Sequence, residues 1–131
     1  MPAPTLQEEL RAIVETAPAD VVAVYLYGSR ARGTASSGSD IDLGVLLKGV
    51  PPSRLRSTAR TIESDIEKAV HIPAEAVVLN TASPDLIHRV LRDGILLLDR
   101  DRAARIRFEI QARNEYFDLA PIRRLYRRIP A

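Results

Sequence analysis

The chain has 131 residues, of which 46% are hydrophobic and 27% charged, and its formal net charge is +2. This length supports one buried core but not two, so we expect a single domain spanning 1–131. The absence of cysteine excludes disulfides, iron–sulfur clusters and thiolate zinc sites, and two histidines make a histidine-rich metal centre improbable. Any bound metal ion is therefore expected to have oxygen ligands.

Charge is unevenly distributed along the chain. Residues 100–131 contain nine arginines and four acidic residues, whereas the first 99 residues contain ten basic and thirteen acidic side chains. The segment 101–131 is predicted to be a basic helical tail, which either contacts an acidic partner or forms a solvated helix face. No apolar run approaches the roughly 20 residues of a membrane span, so we expect a cytoplasmic protein with no membrane partner.

The first third of the chain predicts one helix and two strands. Thr5 and Glu8 form a capping box ahead of apolar residues at helical spacing, which predicts a helix ending near Ala17. The run 21–27 is dense in β-branched and aromatic residues and predicts a mostly buried strand. A second strand is predicted over 42–48, after a polar, glycine-rich loop.

The rest of the chain predicts further helices and short strands. Apolar residues recur at spacings of three and four over 55–69, which predicts a helix of about 17 residues that crosses back over the sheet. A third strand is predicted over 75–80, and Ser83 followed by Pro84 predicts the start of a short helix that stops at Gly94. The last predicted elements are a short strand over 95–98 and a helix beyond Asp101, on which Ala103, Ile106, Ile110 and Phe117 are helically spaced, with a final turn or two after Pro121.

Two aspartates, Asp40 and Asp42, stand at the start of the second predicted strand. Side chains alternate along a strand, so carboxylates at i and i+2 point to one side, with Cβ atoms roughly 6.5 to 7 Å apart. Such a pair is unfavourable unless a cation neutralises it, and Mg²⁺ prefers one or two carboxylates together with phosphate oxygens. The alternative is that Asp40 caps a turn while Asp42 begins an exposed strand face.

A glycine-serine turn precedes these acids. The first strand ends in Gly28 and Ser29 and continues into a basic turn containing Arg30 and Arg32. Backbone N–H groups, a hydroxyl and positive charge at such a turn suit a polyphosphate, and Gly28 would let the backbone approach it closely. The alternative is an ordinary strand-to-helix turn with solvated arginines. A triphosphate with Mg²⁺ between the turn and the acids would balance the charges of both.

The stretch GSRARGTASSGSDIDLGV, residues 28–45, resembles the G-S-x10-D-x-D signature of the DNA polymerase beta-like nucleotidyltransferase superfamily. It is most similar to the minimal nucleotidyltransferases, the MNT-domain antitoxins, and the similarity extends through 80–101 and 113–128. The resemblance implies an α/β (α+β) chain with the polymerase beta-like nucleotidyltransferase fold, a small mixed sheet with flanking helices. It also implies Mg²⁺ as cofactor and ATP as substrate.

The resemblance assigns roles to the motif residues. Gly28 and Ser29 are expected to hold the terminal phosphates of ATP, and Arg30 is a further candidate for phosphate contact. Asp40 and Asp42 are expected to bind the metal ion and to be catalytic.

A third carboxylate, usually aspartate, lies on the following strand in this family, where it completes a metal site and accepts a proton. Glu75 occupies that position here and is taken as the third catalytic and metal-binding residue, although it is one methylene longer. The alternative interpretation of Glu75 is a solvent-facing glutamate at the start of the strand. Asp85 is the rival third acid, but its place after Ser83 and Pro84 favours a helix N-terminus role.

The implied activity is transfer of AMP from ATP to a hydroxyl, a tyrosine of a HEPN-domain ribonuclease toxin, which would neutralise the toxin. The alternatives are an antitoxin that acts by binding alone and an enzyme that modifies a small molecule, as aminoglycoside-type nucleotidyltransferases do. Direct nucleic-acid binding is not favoured, because the tail lacks a recognisable nucleic-acid-binding module. His71 and His88 are expected to be surface or packing residues, and Tyr116 and Tyr126 either dock a partner or close a core edge.

Overall fold

The computed structural model describes residues 2–118. Its helices are α1 (Leu6–Val14), α2 (Ser29–Arg32), α3 (Leu55–Val70), α4 (Pro84–Asp93) and α5 (Arg102–Asp118), and its strands are β1 (Val21–Tyr27), β2 (Ile41–Leu47), β3 (Ala74–Val78) and β4 (Ile95–Asp99). The predicted helices and strands of this part of the chain are present, with ends displaced by up to three residues. The predicted last turns beyond Pro121 lie outside the described residues.

The four strands form one mixed sheet in the order β3-β2-β1-β4. Strand β1 is antiparallel to both β2 and β4, whereas β3 is parallel to β2. A parallel pair needs a crossover connection, and α3 supplies it between β2 and β3. The predicted α/β fold with a small mixed sheet and flanking helices is confirmed.

Helices cover both faces of the sheet. On one face, α1 and α3 bury an apolar cluster that includes Leu10, Val14, Ile62 and Ile66. On the other face, α4 and α5 pack through Ile87, Val90 and Ala112 against residues such as Ala23, Tyr25 and Leu46. Because strand residues alternate between faces, the odd-numbered residues of β2 face α1 and α3, and its even-numbered residues face α4 and α5.

Helix α5 packs through a different face from the one suggested by its large apolar residues. Ala104, Phe108 and Ala112, spaced four apart, contact the sheet cluster. Ile110 and Phe117 are 52% and 66% exposed. The small residues at 104 and 112 allow the helix to approach the sheet closely.

Local capping agrees with the sequence. Thr5 Oγ1 accepts a hydrogen bond from the Glu8 N–H at 3.1 Å, and Ser83 Oγ accepts one from the Leu86 N–H at 3.3 Å. In residues 2–118, no helix is long and apolar enough to span a membrane.

Candidate active site

Three polar side chains lie side by side across the sheet. In the register of the strands, Asp42 of β2 stands opposite Tyr27 of β1 and beside Glu75 of β3. Their neighbours Ile41, Leu43, Ala74 and Ala76 belong to the cluster on the α1 and α3 face. Alternation therefore places the polar row on the opposite face, at the end of the sheet where β1 leads into α2.

The glycine-serine turn lies directly against this row. Gly28 has φ 75° and ψ −159°, a conformation essentially restricted to glycine, and it begins the short helix α2. A β-carbon on Gly28 would stand 2.5 Å from Asp42 Oδ2. The Asp42 carboxylate thus occupies the space that the missing side chain leaves, so the turn and the second motif aspartate form one site.

Asp40 reaches the site from a loop rather than from a strand. Strand β2 begins at Ile41, one residue earlier than predicted, and the exposed Asp40 immediately precedes it. The loop before Asp40 is tied to the turn by Arg30, whose Nε and Nη2 donate to the Ser39 carbonyl oxygen at 3.0 and 2.6 Å. Asp40 is nevertheless close enough to Asp42 to influence its ionisation.

Negative charge accumulates around Asp42. Partial burial raises the pKa of the Asp42 carboxyl, and the nearby carboxylates of Glu75 and Asp40 raise it further, while the Arg32 guanidinium lowers it. Glu75 and Asp40 are therefore both within electrostatic range of Asp42. A bound cation would relieve the repulsion among them.

Two residues that were not predicted from the sequence also border the site. Burial raises the pKa of the Tyr27 hydroxyl, with smaller upward contributions from Asp42 and Glu75 and a downward one from Arg89. Tyr27 could have been found from its place at the end of β1, just before Gly28. No sequence pattern pointed to Arg89, because only the packing of α4 against the sheet brings it near Tyr27.

The donor set suits a hard cation, because carboxylate oxygens are what Mg²⁺ prefers. Within residues 2–118, however, no three His, Cys, Asp or Glu side chains are gathered so that they could hold a metal ion. Asp40 and Asp42 thus fit a site that phosphate oxygens of a substrate complete, which is the usual way in which proteins bind Mg²⁺. Glu75 remains a predicted third ligand.

The remaining candidates lie on α4 and α5 and at the end of α3. His71 ends α3 in a left-handed conformation, and His88 stacks on Tyr116 with ring centroids 3.8 Å apart. Asp85 occupies the first turn of α4, as its position after Ser83 predicted. Tyr126 lies outside the described residues.

Comparison with known families identifies the fold. The polymerase beta nucleotidyltransferase family model matches residues 8–103, which include the turn, the aspartate pair and Glu75. The chain belongs to this nucleotidyltransferase family. Among curated protein sequences, none is significantly similar to it.

Solved structures share the fold of this nucleotidyltransferase. A chain of a toxin–antitoxin complex with AMP-PNP matches with a TM-score of 0.72 at 21% identity, covering 92% of this chain and 94% of that one. A chain of a mutant MntA–HpeT toxin–antitoxin matches with a TM-score of 0.76 at 19% identity and the same coverage. A chain of the complex between the tri-AMPylated HEPN toxin of Shewanella oneidensis and its MNT antitoxin gives 0.70 at 18% identity, with 92% of each chain covered.

Proposed function

We propose that this nucleotidyltransferase is an antitoxin that transfers AMP from ATP to a tyrosine hydroxyl of a HEPN-domain toxin and so neutralises it. Support comes from family membership and from the similarity in fold to chains of toxin–antitoxin complexes, one with AMP-PNP and one with a tri-AMPylated HEPN toxin. ATP is the proposed AMP donor and Mg²⁺ the proposed cofactor.

The contact between Gly28 and Asp42 carries this proposal. It joins a turn that can approach a phosphate closely to a carboxylate that can bind a cation. The N–H groups of Ala31 and Arg32 donate to the Gly28 carbonyl, whereas those of Ser29 and Arg30, at the start of α2, point out of the helix and can donate to phosphate oxygens. A site for a triphosphate and a divalent cation needs both features in one place.

In the proposed reaction, the acceptor hydroxyl oxygen bonds to the α-phosphorus of ATP, the bond from this phosphorus to the bridging oxygen of the β-phosphate breaks, and pyrophosphate leaves. Gly28 and Ser29 hold the departing phosphates, and Glu75 accepts the hydroxyl proton. Asp40 and Asp42 would hold Mg²⁺ together with phosphate oxygens of ATP, and Mg²⁺ neutralises charge on the phosphates when bound.

The test is transfer of label from α-labelled ATP. Purified wild-type protein, Mg²⁺ and the partner toxin should give labelled toxin with reduced ribonuclease activity. Asp42→Asn should reduce the rate of labelling by at least about 100-fold, the upper end of what even outer-shell partners of a metal ion contribute. Mass spectrometry of the labelled toxin identifies the modified hydroxyl.

Matched variants of the remaining acids test the proposed role of Glu75. Glu75→Gln should lose most of the transfer, whereas Glu75→Asp, which restores the residue usual in the family, should retain it. Asp85→Asn is the control, because this acid lies in the first turn of α4. Equal losses in Glu75→Gln and Asp85→Asn would contradict the assignment of the third carboxylate.

Neutralisation by binding alone is the second candidate function. The observation that favours it is that the acids of residues 2–118 form no three-membered metal group. If Asp42→Asn neutralises the toxin as well as the wild type and no label reaches the toxin, this candidate replaces the enzymatic one.

A further inference from the structure

The Arg30 side chain links the turn at Gly28 and Ser29 to the segment that carries Asp40. The Arg30 guanidinium, on the short helix α2, donates two hydrogen bonds to the carbonyl oxygen of Ser39, nine residues further along the chain. Both bonds are partly buried, and Ser39 is the residue immediately before Asp40. Charge-assisted hydrogen bonds of this kind are about twice as strong as neutral ones.

The loop has few other connections to the site. In the described part of the chain, its remaining hydrogen bonds either return to Ser29 or join Ser36 to Ser39. The ordered sheet begins only at Ile41, whose N–H donates to the Pro73 carbonyl at 2.9 Å. Asp40 therefore lies between two hydrogen-bonded residues, Ser39, whose carbonyl accepts from Arg30, and Ile41, the first residue of β2.

We propose that Arg30 is a positioning residue that holds the Ser39–Asp40 segment against the turn bearing Gly28 and Ser29, and so sets the affinity of the site for the divalent cation. This inference rests on the proposed function. It differs from the phosphate contact predicted for Arg30, because the two N–H groups facing the loop are engaged by a backbone oxygen. A residue that orients a metal ligand typically changes metal affinity by about 10- to 100-fold.

Two substitutions separate geometry from charge. Arg30→Lys keeps the positive charge but loses the forked pair of donors. Arg32→Gln removes a positive charge from the same turn and leaves the Arg30 hydrogen bonds in place. Because Arg32 lies near enough to Asp42 to lower its pKa, removing it should leave cation binding unchanged or tighten it.

The readout is binding of Mn²⁺, measured by electron paramagnetic resonance, in the presence of an ATP analogue with a methylene between the α- and β-phosphates. We expect Arg30→Lys to weaken Mn²⁺ binding by about 10-fold. We expect Arg32→Gln to bind Mn²⁺ at least as tightly as the wild type once the change in its affinity for the analogue in EDTA has been subtracted, because Arg32 belongs to the turn proposed to hold phosphate. Binding of the analogue in EDTA should change less than twofold in Arg30→Lys, because the charge is retained.

Three outcomes would overturn the proposal. These are unchanged Mn²⁺ binding in Arg30→Lys, equal weakening in Arg30→Lys and Arg32→Gln, or a loss of analogue binding in EDTA that accounts for the whole effect. The last result would establish direct phosphate contact. Hydrogen exchange of the amides over 34–39 provides a second measurement, and it should accelerate in Arg30→Lys while the amides of β1 stay protected.

The assay needs neither an acceptor nor turnover, so it is independent of the transfer experiment. A wild-type protein that binds Mn²⁺ and the analogue but never labels a toxin would contradict the proposed function and leave the role of Arg30 standing. Wild-type transfer combined with unchanged Mn²⁺ binding in Arg30→Lys would support the proposed function and contradict the positioning role of Arg30.

Discussion

At the scale of single residues, Gly28 determines how near the Asp42 carboxylate can come to the turn that begins α2. Its positive φ and the 2.5 Å between a β-carbon and Asp42 Oδ2 are separate constraints on this position. Gly33, at the other end of α2, shares the positive φ but would meet nothing within 4 Å. Gly33 is therefore a matched control for substitution of Gly28.

Gly28→Ala should reduce nucleotidyl transfer by at least about 100-fold, because the new methyl group displaces the Asp42 carboxylate from its place beside the turn. Gly33→Ala should be destabilised by about 1 kcal/mol through backbone strain alone and should keep its activity. Thermal melts and labelling rates of the two variants check this. Comparable losses of activity would show that backbone strain, rather than the carboxylate contact, is responsible.

Asp42 should also make stability depend on pH. Its pKa is raised in the folded protein, so ionisation disfavours folding as pH rises from the ordinary value of 3.8 through the raised one. Asp42→Asn should then melt at a higher temperature than wild type at pH 7 in EDTA, and the difference should vanish near pH 3.

Asp93 provides a control of opposite sign. Its hydrogen bonds from Arg92 lower its pKa, so its contribution to stability is present at neutral pH and is lost as pH falls through that lowered value. Asp93→Asn should therefore melt at a lower temperature than wild type at pH 7. A lower melting temperature for both variants at pH 7 would contradict the sign deduced for Asp42.

At the scale of elements, a side chain continues the sheet where β3 ends. Asn80 Oδ1 accepts from the Leu47 N–H at 3.0 Å, and Asn80 Nδ2 donates to the Leu47 carbonyl at 2.7 Å. The side-chain amide thus pairs with the backbone N–H and carbonyl of Leu47, the last residue of β2, in place of the backbone of a longer β3. This explains why β3 is shorter than the predicted 75–80.

Asn80→Ala should be destabilised by about 1 to 3 kcal/mol, because it leaves the donor and the acceptor of the buried Leu47 backbone without this partner. The exposed neighbour Thr81 is the control, and Thr81→Ala should stay within about 0.5 kcal/mol of wild type. Urea denaturation of both variants measures the difference. Equal stabilities would mean that water replaces the amide at Leu47.

At the scale of the whole molecule, Arg100 joins distant parts of the chain. Just after β4, its guanidinium donates to the carbonyl oxygens of Glu15, Ala17 and Pro18 at 2.6 to 2.9 Å. These carbonyls follow the end of α1, so one side chain ties the first helix to the last strand. These carbonyls lie where the backbone leaves α1 through the bonds from Thr16 N–H to Ile13 and from Ala17 N–H to Val14.

Arg100→Ala should lower the melting temperature by about 5 °C, because several charge-assisted hydrogen bonds are lost at once. The rate of labelling at low temperature should be retained, since the polar row lies at the other end of β1. The exposed Arg102 is the control, and Arg102→Ala should melt like the wild type. A loss of transfer in folded Arg100→Ala would contradict this separation of stability from catalysis.

The ends of elements show where sequence reasoning succeeds and fails. The starts of α1 and α4 were predicted correctly, because Thr5 and Ser83 cap their helices through residues only three positions away. The ends of α1 and β3 were placed too late, because the hydrogen bonds found there join residues that are far apart in the chain, Arg100 with the carbonyls after α1 and Asn80 with Leu47. The packed face of α5 was likewise set by its fit to the sheet rather than by its largest apolar residues.

The amino-acid sequence by itself determined the family, the order of the elements and the motif from Gly28 to Asp42, because each depends on spacing along the chain. Only the tertiary structure decided that Tyr27 stands opposite Asp42, that Arg89 approaches them, and that Arg30 is bonded to Ser39. Strand register and side-chain direction arise when distant segments pack together, and no local pattern specifies them.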